Sequence, residues 1–367
     1  MPAPSAPLNT SLYAESAIMP LRDFFKSHKV LLAPMAGVTD VAMRKLCVQA
    51  GADLTYTEMV SSKALSYSNE KTLDLLKLAS NEKKIAVQIF GHEPDVMASQ
   101  AAQVAKIMGS ALAYIDVNMG CPARKIVSKG DGSKLMTTPD LAMQIVSEIR
   151  NATDVPISCK FRRGYNLGEE TAVEFAEALQ SAGANALTVH GRYAMQYYHG
   201  KSDWDVIARV KKAVEIPVVA SGDVVDGKSA LELFALTGCD AIMIGRAAQG
   251  APWIFAEVKA ALTNNGEAGA LNWTCPDFNK RIEIARSHAR MISESDPKQL
   301  VRMRKHAAWY MAGFPNARAW RHAMNQCVTL KDFEDAFDEV LLQLASFENE
   351  GSGEVVAQCE IGAGKPV

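Results

Sequence analysis

Short apolar runs alternate with helical segments between residues 30 and 250, and this alternation restricts the folds open to the chain. The eight runs, rich in apolar or β-branched residues, are 30–37, 54–60, 85–91, 114–121, 156–164, 186–192, 217–224 and 241–250. Segments with helical content lie between them, at 41–50, 95–108, 139–151, 171–182, 203–214 and 227–236. Near-continuous apolar strands joined by helices are typical of a parallel sheet covered on both faces. Eight such units within about 220 residues predict an α/β protein built on a closed (β/α)₈ TIM barrel.

The competing arrangement is an open, doubly wound parallel sheet. Sheets of that kind that bind dinucleotides carry a G-x-G-x-x-G pattern directly after the first strand. The first run, 30–37, ends in Met35-Ala36-Gly37 and is not followed by that pattern. The absence favours the barrel.

The strand pattern stops after about Pro276, where apolar residues begin to recur at helical spacing. They are Ile282, Ala285, Ala289 and Ile292, followed by Phe333, Phe337, Val340, Leu341, Leu344 and Phe347. We predict a small C-terminal all-α domain of roughly 75 residues, which is enough for an independent core. The predicted division is a flexible leader over 1–20, a TIM-barrel domain over 21–265, the helical domain over 276–348 and a flexible tail over 349–367.

The charge of the chain is unevenly distributed. The formal net charge is −2, but ten Lys or Arg stand against three acidic residues between Lys280 and His322. A basic segment attached to an acidic body favours a polyanionic partner held at one end of the molecule. A merely solvated charged face is the alternative interpretation. The same segment holds Trp309 and Trp320, which we interpret as helix-packing residues rather than base-stacking ones.

The seven cysteines are scattered and include no C-x-x-C pair. They predict neither a disulfide framework nor a metal site, and a reducing cytoplasm fits them best. No apolar run approaches the roughly 18 residues of a membrane helix, so no membrane association is expected.

One cysteine occupies a position suited to chemistry. Cys121 follows the run 114–121 between Gly120 and Pro122, with Asn118 before it and the cations Arg124 and Lys125 after it. Positive charge nearby lowers the pKa of a thiol. We therefore expect a reactive group here, either a nucleophile or a proton donor.

Other polar residues stand at the carboxyl ends of the predicted strands, where the active sites of TIM barrels lie. They include Glu58, Gln88, Lys160, Arg162, His190, Arg192, Ser221, Asp223 and Arg246, together with the segment 34–37. Gly222 and Gly245 follow the last two strands, which is the usual position of a phosphate pocket in these barrels. A phosphate bound there places the rest of a cofactor over the mouth, where Met35, Gln88, Lys160 and His190 would meet a flavin ring.

These segments together resemble the motif series of the tRNA-dihydrouridine synthases, most of all the bacterial B-type branch. The matching stretches are APMAGVTD (33–40), TEMV (57–60), VQIFG (87–91), DVNMGCPARK (116–125), LTVHGR (187–192), SGDV (221–224) and IGRAAQGAPWIF (244–255). The chain departs from the family pattern at Tyr193-Ala194, where relatives often read Thr-Arg, and at Ser221, where Asn is common.

The resemblance implies a flavoenzyme that acts on tRNA. NADPH (or NADH) would reduce FMN, reduced FMN would pass a hydride to C6 of a uracil in the D-loop, and Cys121 would protonate C5. By the same matching, FMN would be held by Pro34, Met35, Ala36, Gln88, Lys160, His190, Ser221, Gly222, Asp223, Gly245 and Arg246. Asn118 would hydrogen-bond the uracil. Arg124, Lys125, Arg192, Arg302, Arg304 and Lys305 are the expected tRNA contacts, and no obligatory protein partner is expected.

Two alternatives remain open at this level. A dihydroorotate-dehydrogenase-like barrel acting on a free pyrimidine would share FMN and the barrel, but would leave the basic helical domain unexplained. A flavin-bearing RNA-binding protein without turnover would bind tRNA whether or not Cys121 is present.

Overall fold

The computed structural model of the protein describes residues 20–67, 69–263 and 273–349. The predicted leader over 1–20 and tail over 349–367 lie outside these ranges except for Pro20 and Asn349, and the predicted end of the barrel domain at 265 also lies outside them.

The described residues form one parallel sheet that closes into a barrel. Its strands are β1 (Val30–Leu32), β2 (Thr55–Tyr56), β3 (Val60–Ser61), β4 (Ile85–Phe90), β5 (Leu112–Met119), β6 (Ile157–Gly164), β7 (Ala186–Tyr193), β8 (Val218–Ser221) and β9 (Ala241–Ile244). They pair in the order β1, β9, β8, β7, β6, β5, β4, β2, and β3 also pairs with β4. A parallel bridge between Leu31 and Leu54 connects the first strand to the second and closes the circle. The predicted TIM barrel is confirmed.

The second barrel strand differs from the single run predicted over 54–60. It consists of two short pieces, β2 and β3, which both pair with β4. Between them the chain turns aside at Glu58, whose carboxylate accepts hydrogen bonds from the backbone N–H of Gly37 and from Arg302. The interruption of the strand therefore lies at the residue whose side chain makes these contacts.

Helices surround the barrel and form the C-terminal region. They are α1 (Leu21–Ser27), α2 (Val41–Gln49), α3 (Ser62–Ser66), α4 (Glu70–Asp74), α5 (Pro94–Met108), α6 (Arg124–Val127), α7 (Pro139–Ala152), α8 (Ala172–Ser181), α9 (Trp204–Ala213), α10 (Gly227–Thr237), α11 (Ile254–Thr263), α12 (Phe278–Ser295), α13 (Met303–Tyr310), α14 (Ala317–Gln326) and α15 (Leu330–Asn349). Asp40, Asp203 and Asp226 cap α2, α9 and α10 by accepting backbone N–H groups, as side chains at helix N-termini commonly do. None of the helices in the described part of the chain is both long and apolar enough to cross a bilayer.

The interior of the barrel changes character along its axis. Its amino-terminal end is filled by apolar side chains, and α1 packs there with Phe24 and Phe25 edge-on to the ring of Tyr114. Successive inward positions of β5, Tyr114, Asp116 and Asn118, become polar toward the carboxyl end because alternate residues of a strand face the same side. The fold thus places buried polar groups at one end of the barrel only.

The helices from α12 onward build a second core, and this core extends onto the barrel. Ala42, Ala251 and Trp253 from the barrel pack into it. Gly250, with φ +72°, sits so close to α13 that a Cβ at this position would lie 2.5 Å from the carbonyl carbon of Trp309. A glycine is therefore needed where the helical region meets the barrel.

Candidate active site

A cavity of about 510 Å³ opens at the carboxyl ends of the barrel strands. Ten of the eleven residues predicted to bind a cofactor line it: Pro34, Met35, Ala36, Lys160, His190, Ser221, Gly222, Asp223, Gly245 and Arg246. The eleventh, Gln88, is fully buried below it. Asn118, Cys121 and Arg192 also line the cavity. The fold brings together residues spread over more than 200 positions of the sequence.

The loop after β5 holds Cys121 at the wall of this cavity. Oδ1 of Asn118 accepts hydrogen bonds from the backbone N–H groups of Gly120 and Cys121, at 3.2 and 2.9 Å. Nε of Arg162, on the neighbouring strand, donates to the carbonyl of Gly120 at 2.8 Å. The carbonyl of Cys121 accepts from the backbone N–H of Ser133 at 3.0 Å. The position of the thiol is therefore set by the protein itself.

Burial determines the acidity of this thiol. It raises the pKa of Cys121, and a backbone hydrogen bond at Ala123 and the charges of Arg162, Lys125 and Lys160 offset only part of the rise. The neighbouring cations do lower the pKa of Cys121 as predicted, but the expectation of a thiol with a lowered pKa is wrong, because the cost of desolvating a thiolate is larger than their attraction. Cys121 is a protonated thiol at neutral pH and is suited to donate a proton.

Three buried polar side chains, Gln88, Asp116 and Asn118, form a hydrogen-bonded chain under the cavity, which we call the floor network. Gln88 donates to Asp116 at 2.6 Å, and Asn118 donates to Gln88 at 2.7 Å. Burial raises the pKa of Asp116 against the hydrogen bond from Gln88. Burial, followed by repulsion from Arg162, lowers the pKa of Lys160 on the adjacent strand, and Asp116 opposes this shift. Lys160 lies at the cavity wall, and its charge and that of the buried Asp116 favour each other.

The opposite end of the cavity is cationic. Arg192 is 2% exposed and donates to both carboxylate oxygens of Asp223 at 2.7 Å, and Arg246 lies 3.4 Å from the same group. A Cβ on Gly222, where φ is +116°, would stand 2.4 Å from Oγ of Ser202, so the turn that presents Asp223 requires glycine. Two guanidinium groups share one carboxylate, and the remaining positive charge suits an anion such as a phosphate.

His190 lies between these two ends as a neutral ring. Burial lowers its pKa well below the ordinary value, and the cations Arg162 and Lys160 lower it further. Its Nε2 is 3.3 Å from Nη1 of Arg192. The ring is therefore available for hydrogen bonding without adding charge.

The residues predicted to contact tRNA occupy several different surroundings. Arg124 and Lys125 lie exposed on α6, immediately after the Cys121 loop. Arg302 reaches Glu58 at 3.3 Å and Lys305 donates to the carbonyl of Gly37, so both connect the helical region to the barrel. Arg304 donates to the carbonyl of Cys327 at 2.7 Å. Arg192 belongs to the cationic end described above.

Several residues lining the cavity were not among the predicted site residues. They include Met59, Tyr198, Gln249 and Trp309. Arg162, which the sequence analysis placed among the polar residues at strand ends without a specific role, also lines the cavity. Trp309 comes from the helical region, and only the docking of α13 on Gly250 brings it to the cavity. The interpretation of Trp309 as a purely helix-packing residue is incomplete, since it packs and also faces the cavity.

Comparisons with known proteins agree with this geometry. The model of the dihydrouridine synthase family matches residues 31–346. "Probable tRNA-dihydrouridine synthase 1" of Synechocystis is 37% identical over 85% of this chain and 86% of its own, and "tRNA-dihydrouridine synthase B" of Proteus vulgaris is 38% identical over 87% and 95%. The tRNA-dihydrouridine synthase B of Pectobacterium carotovorum is 38% identical over 90% of this chain and 99% of its own. The chain therefore belongs to the dihydrouridine synthase family of enzymes.

Proposed function

We propose that this enzyme reduces a specific uridine in the D-loop of tRNA to 5,6-dihydrouridine, with FMN as its cofactor and NADPH (or NADH) as the reductant. The observation that carries the proposal is the placement of a protonated Cys121 thiol on the wall of a cavity that has a cationic end and an apolar side. The relatives, named as tRNA-dihydrouridine synthases, support the same substrate. A tRNA substrate favours the cytoplasm as the place of action.

The residues present fit FMN. The volume of about 510 Å³ is in the range of small-molecule and cofactor sites, roughly 300–1,000 Å³. Arg192, Arg246 and the glycine turn at Gly222 would hold the phosphate, while Met35 and neighbouring apolar groups would cover a flat ring. Lys160 would stand beside the ring edge where negative charge develops on reduction.

When bound, FMN supplies hydride transfer, taking the hydride from the nicotinamide and giving it to C6 of the uracil. The protein supplies the proton. Cys121 would donate its Sγ proton to C5 of the uracil. Its raised pKa keeps the thiol protonated until negative charge develops on that carbon. Asn118 has its oxygen bonded to the Cys121 loop and one N–H bonded to Gln88, so its main role in this proposal is to fix the donor.

Access of a base to this site requires the base to leave its stack. A uracil inside folded tRNA must be extruded to enter a barrel mouth, so the enzyme needs contacts with the RNA body outside the cavity. Exposed Arg124 and Lys125 beside the Cys121 loop are placed to bind phosphates near the mouth. Trp309 at the cavity wall offers a face to an extruded base. Such contacts give affinity that depends strongly on salt.

The test is an anaerobic titration followed by absorption spectroscopy. Purified protein loaded with FMN is bleached with NADPH, and unmodified tRNA is then added. Return of the oxidised flavin spectrum together with dihydrouridine detected in the tRNA by mass spectrometry is the expected result. Reoxidation by orotate but not by tRNA would replace the proposal with the free-pyrimidine enzyme. Stable bleaching in the presence of bound tRNA would leave a flavin-bearing RNA-binding protein without turnover.

A further inference from the structure

A second group of polar side chains, two of them fully buried and one partly buried, lies where the helical region meets the barrel. Asp40 precedes α2, His288 lies on α12 and His306 lies on α13. One ligand atom from each of the three lies within 4.8 Å of the others. We call this group the interdomain cluster.

The two histidines are fully buried, and most of their ring nitrogens have no partner in the described protein. Nε2 of His288 and both Nδ1 and Nε2 of His306 form no hydrogen bond. The two rings face each other with centroids 4.5 Å apart and planes inclined by 59°. Buried polar atoms in native proteins almost always have a partner, so three unpartnered nitrogens in one place call for a ligand.

The orientation of His288 matches that of a metal-binding histidine. Its Nδ1 lies 3.3 Å from the hydroxyl of Tyr310, which can accept the ring proton. In that tautomer, the lone pair of Nε2, which has no hydrogen-bond partner in the described protein, is free to bind a ligand. Ligating histidines usually have their other nitrogen hydrogen-bonded in this way, which fixes the ring and strengthens it as a donor.

The charges around the cluster permit a cation. Burial lowers the pKa of His288 to about 4 and that of His306 well below its ordinary value, so both rings are neutral near pH 7. Asp40 contributes a carboxylate, one oxygen of which caps α2 through the backbone N–H of Met43. Arg302 and Lys305 are the nearby cations, and Glu58 offsets the first of them.

We propose that Asp40, His288 and His306 bind one divalent first-row transition metal ion, with zinc as the best match, between the barrel and the helical region. Two neutral imidazoles and one carboxylate are a common ligand set for zinc, at about 2.0–2.2 Å, with water as the fourth ligand. The ligand atoms must draw together by small side-chain rotations to reach these distances. The ion would connect the loop after β1, which lines the cavity, to α12 and α13.

The competing explanation is a buried water that bridges the two rings. A water needs two to four polar partners and satisfies buried nitrogens as well as a metal does in many proteins. The two explanations differ in metal content and in the nature of the scatterer at the centre of the cluster.

The test measures metal bound to the full-length protein after growth with zinc and exhaustive dialysis. We expect one zinc per chain by mass spectrometry, and an X-ray absorption spectrum showing nitrogen and oxygen ligands without sulfur. His306→Gln should abolish stoichiometric binding. Asp40→Asn keeps a residue that caps α2 equally well and should weaken zinc binding at least about tenfold in a calorimetric titration.

His322→Gln is the matched control, because His322 is an exposed histidine of the same helical region and its loss should leave zinc binding unchanged. Wild-type protein that binds no zinc at micromolar concentration would overturn the proposal in favour of water. Sulfur in the absorption spectrum, or full binding in Asp40→Asn, would assign the metal to another site and overturn it equally. If His306→Gln fails to fold, Asp40→Asn decides the question. None of these readouts depends on catalytic activity.

Discussion

The floor network and the interdomain cluster are both polar and largely buried, but their hydrogen bonding differs. In the floor network, Gln88, Asp116 and Asn118 hydrogen-bond to one another, and Oδ1 of Asp116 is left without a partner among the described residues. In the interdomain cluster, both ring nitrogens of His306 have none. The floor network is therefore organised mainly by bonds among its own side chains, whereas three of the four ring nitrogens in the interdomain cluster are left for a group that the chain does not supply.

The largest effect is expected from replacing the group that the floor network positions. Cys121→Ala should lower the rate of dihydrouridine formation by about 10²–10⁴-fold, the usual contribution of a positioned proton donor. FMN and tRNA should still bind, because the loop is held by Asn118 and Arg162 and not by the thiol. Single-turnover reoxidation of reduced enzyme by tRNA is the measurement. Cys239→Ala, which removes a buried thiol that does not line the cavity, is the control, and equal rates in the two variants would refute the assignment.

The cationic end of the cavity differs from both groups. Its one carboxylate, Asp223, neutralises only part of the positive charge of Arg192 and Arg246, and the remaining charge can bind a ligand. Arg246→Met should raise the dissociation constant of FMN by roughly 10–100-fold, the value of one charged hydrogen bond. Fluorescence of the released flavin measures this constant. Arg209→Met, on the outer helix α9, should leave it unchanged. An unaltered FMN affinity in Arg246→Met would show that the phosphate lies elsewhere.

Breaking the floor network itself should affect both stability and chemistry. Asn118→Ala leaves the N–H groups of Gly120 and Cys121 and the oxygen of Gln88 without their partner, which costs on the order of 1–3 kcal/mol of unfolding free energy. Urea unfolding measures the loss, and turnover should fall with it because Cys121 is no longer fixed. The exposed Asn166→Ala is the control. Unchanged stability would mean that the network is not the support we describe.

Acid should act on the interdomain cluster. The folded pKa of His288 is about 4 and its unfolded value is about 6.5, so between these values only the unfolded chain binds the proton. The unfolding free energy should therefore fall as the pH drops from about 6.5 to about 4, by up to about 1.4 kcal/mol per pH unit for this group. Chemical unfolding of metal-free protein at a series of pH values tests this. A His288→Gln variant should show a shallower slope, and an identical slope would contradict the assignment.

The smallest effect is expected at the partly exposed pair between Arg302 and Glu58, which also connects barrel and helical region. Arg302→Gln should cost less than about 1 kcal/mol of unfolding free energy, as partly exposed pairs do. If Arg302 also contacts tRNA, the salt dependence of tRNA binding should become weaker in the variant. The paired charge reversal at Arg302 and Arg304 extends the test, and unchanged tRNA affinity at physiological salt would remove both residues from the RNA interface.

The barrel and the location of its site were predictable because both follow from periodicity. Alternation of strands and helices indicated the closed sheet, and Lys160 had to face the mouth because its strand neighbours are apolar. The same logic failed at Glu58, where the strand is interrupted and the side chain contacts Arg302 from far along the chain.

What sequence could not provide is the effect of burial and of docking. The cations next to Cys121 are visible in the sequence, but the desolvation that outweighs them is not. In the sequence, His288 and His306 have no feature that distinguishes them from other helix residues. Only the packing of α12 and α13 beside Asp40 brings them together. Trp309 reaches the cavity only because Gly250 allows α13 to approach.

Phe24 and Phe25 help to fill the amino-terminal end of the barrel, and this packing has a kinetic consequence. With that end filled, the nicotinamide and the extruded uracil of the proposed reaction must both arrive through the same mouth. In the proposed reaction both exchange a hydride with the same flavin, so we expect the oxidised nicotinamide to leave before the RNA base enters. Initial rates measured against one substrate at several fixed concentrations of the other should give parallel double-reciprocal lines. Such lines are expected for ping-pong kinetics, in which the first product leaves before the second substrate binds.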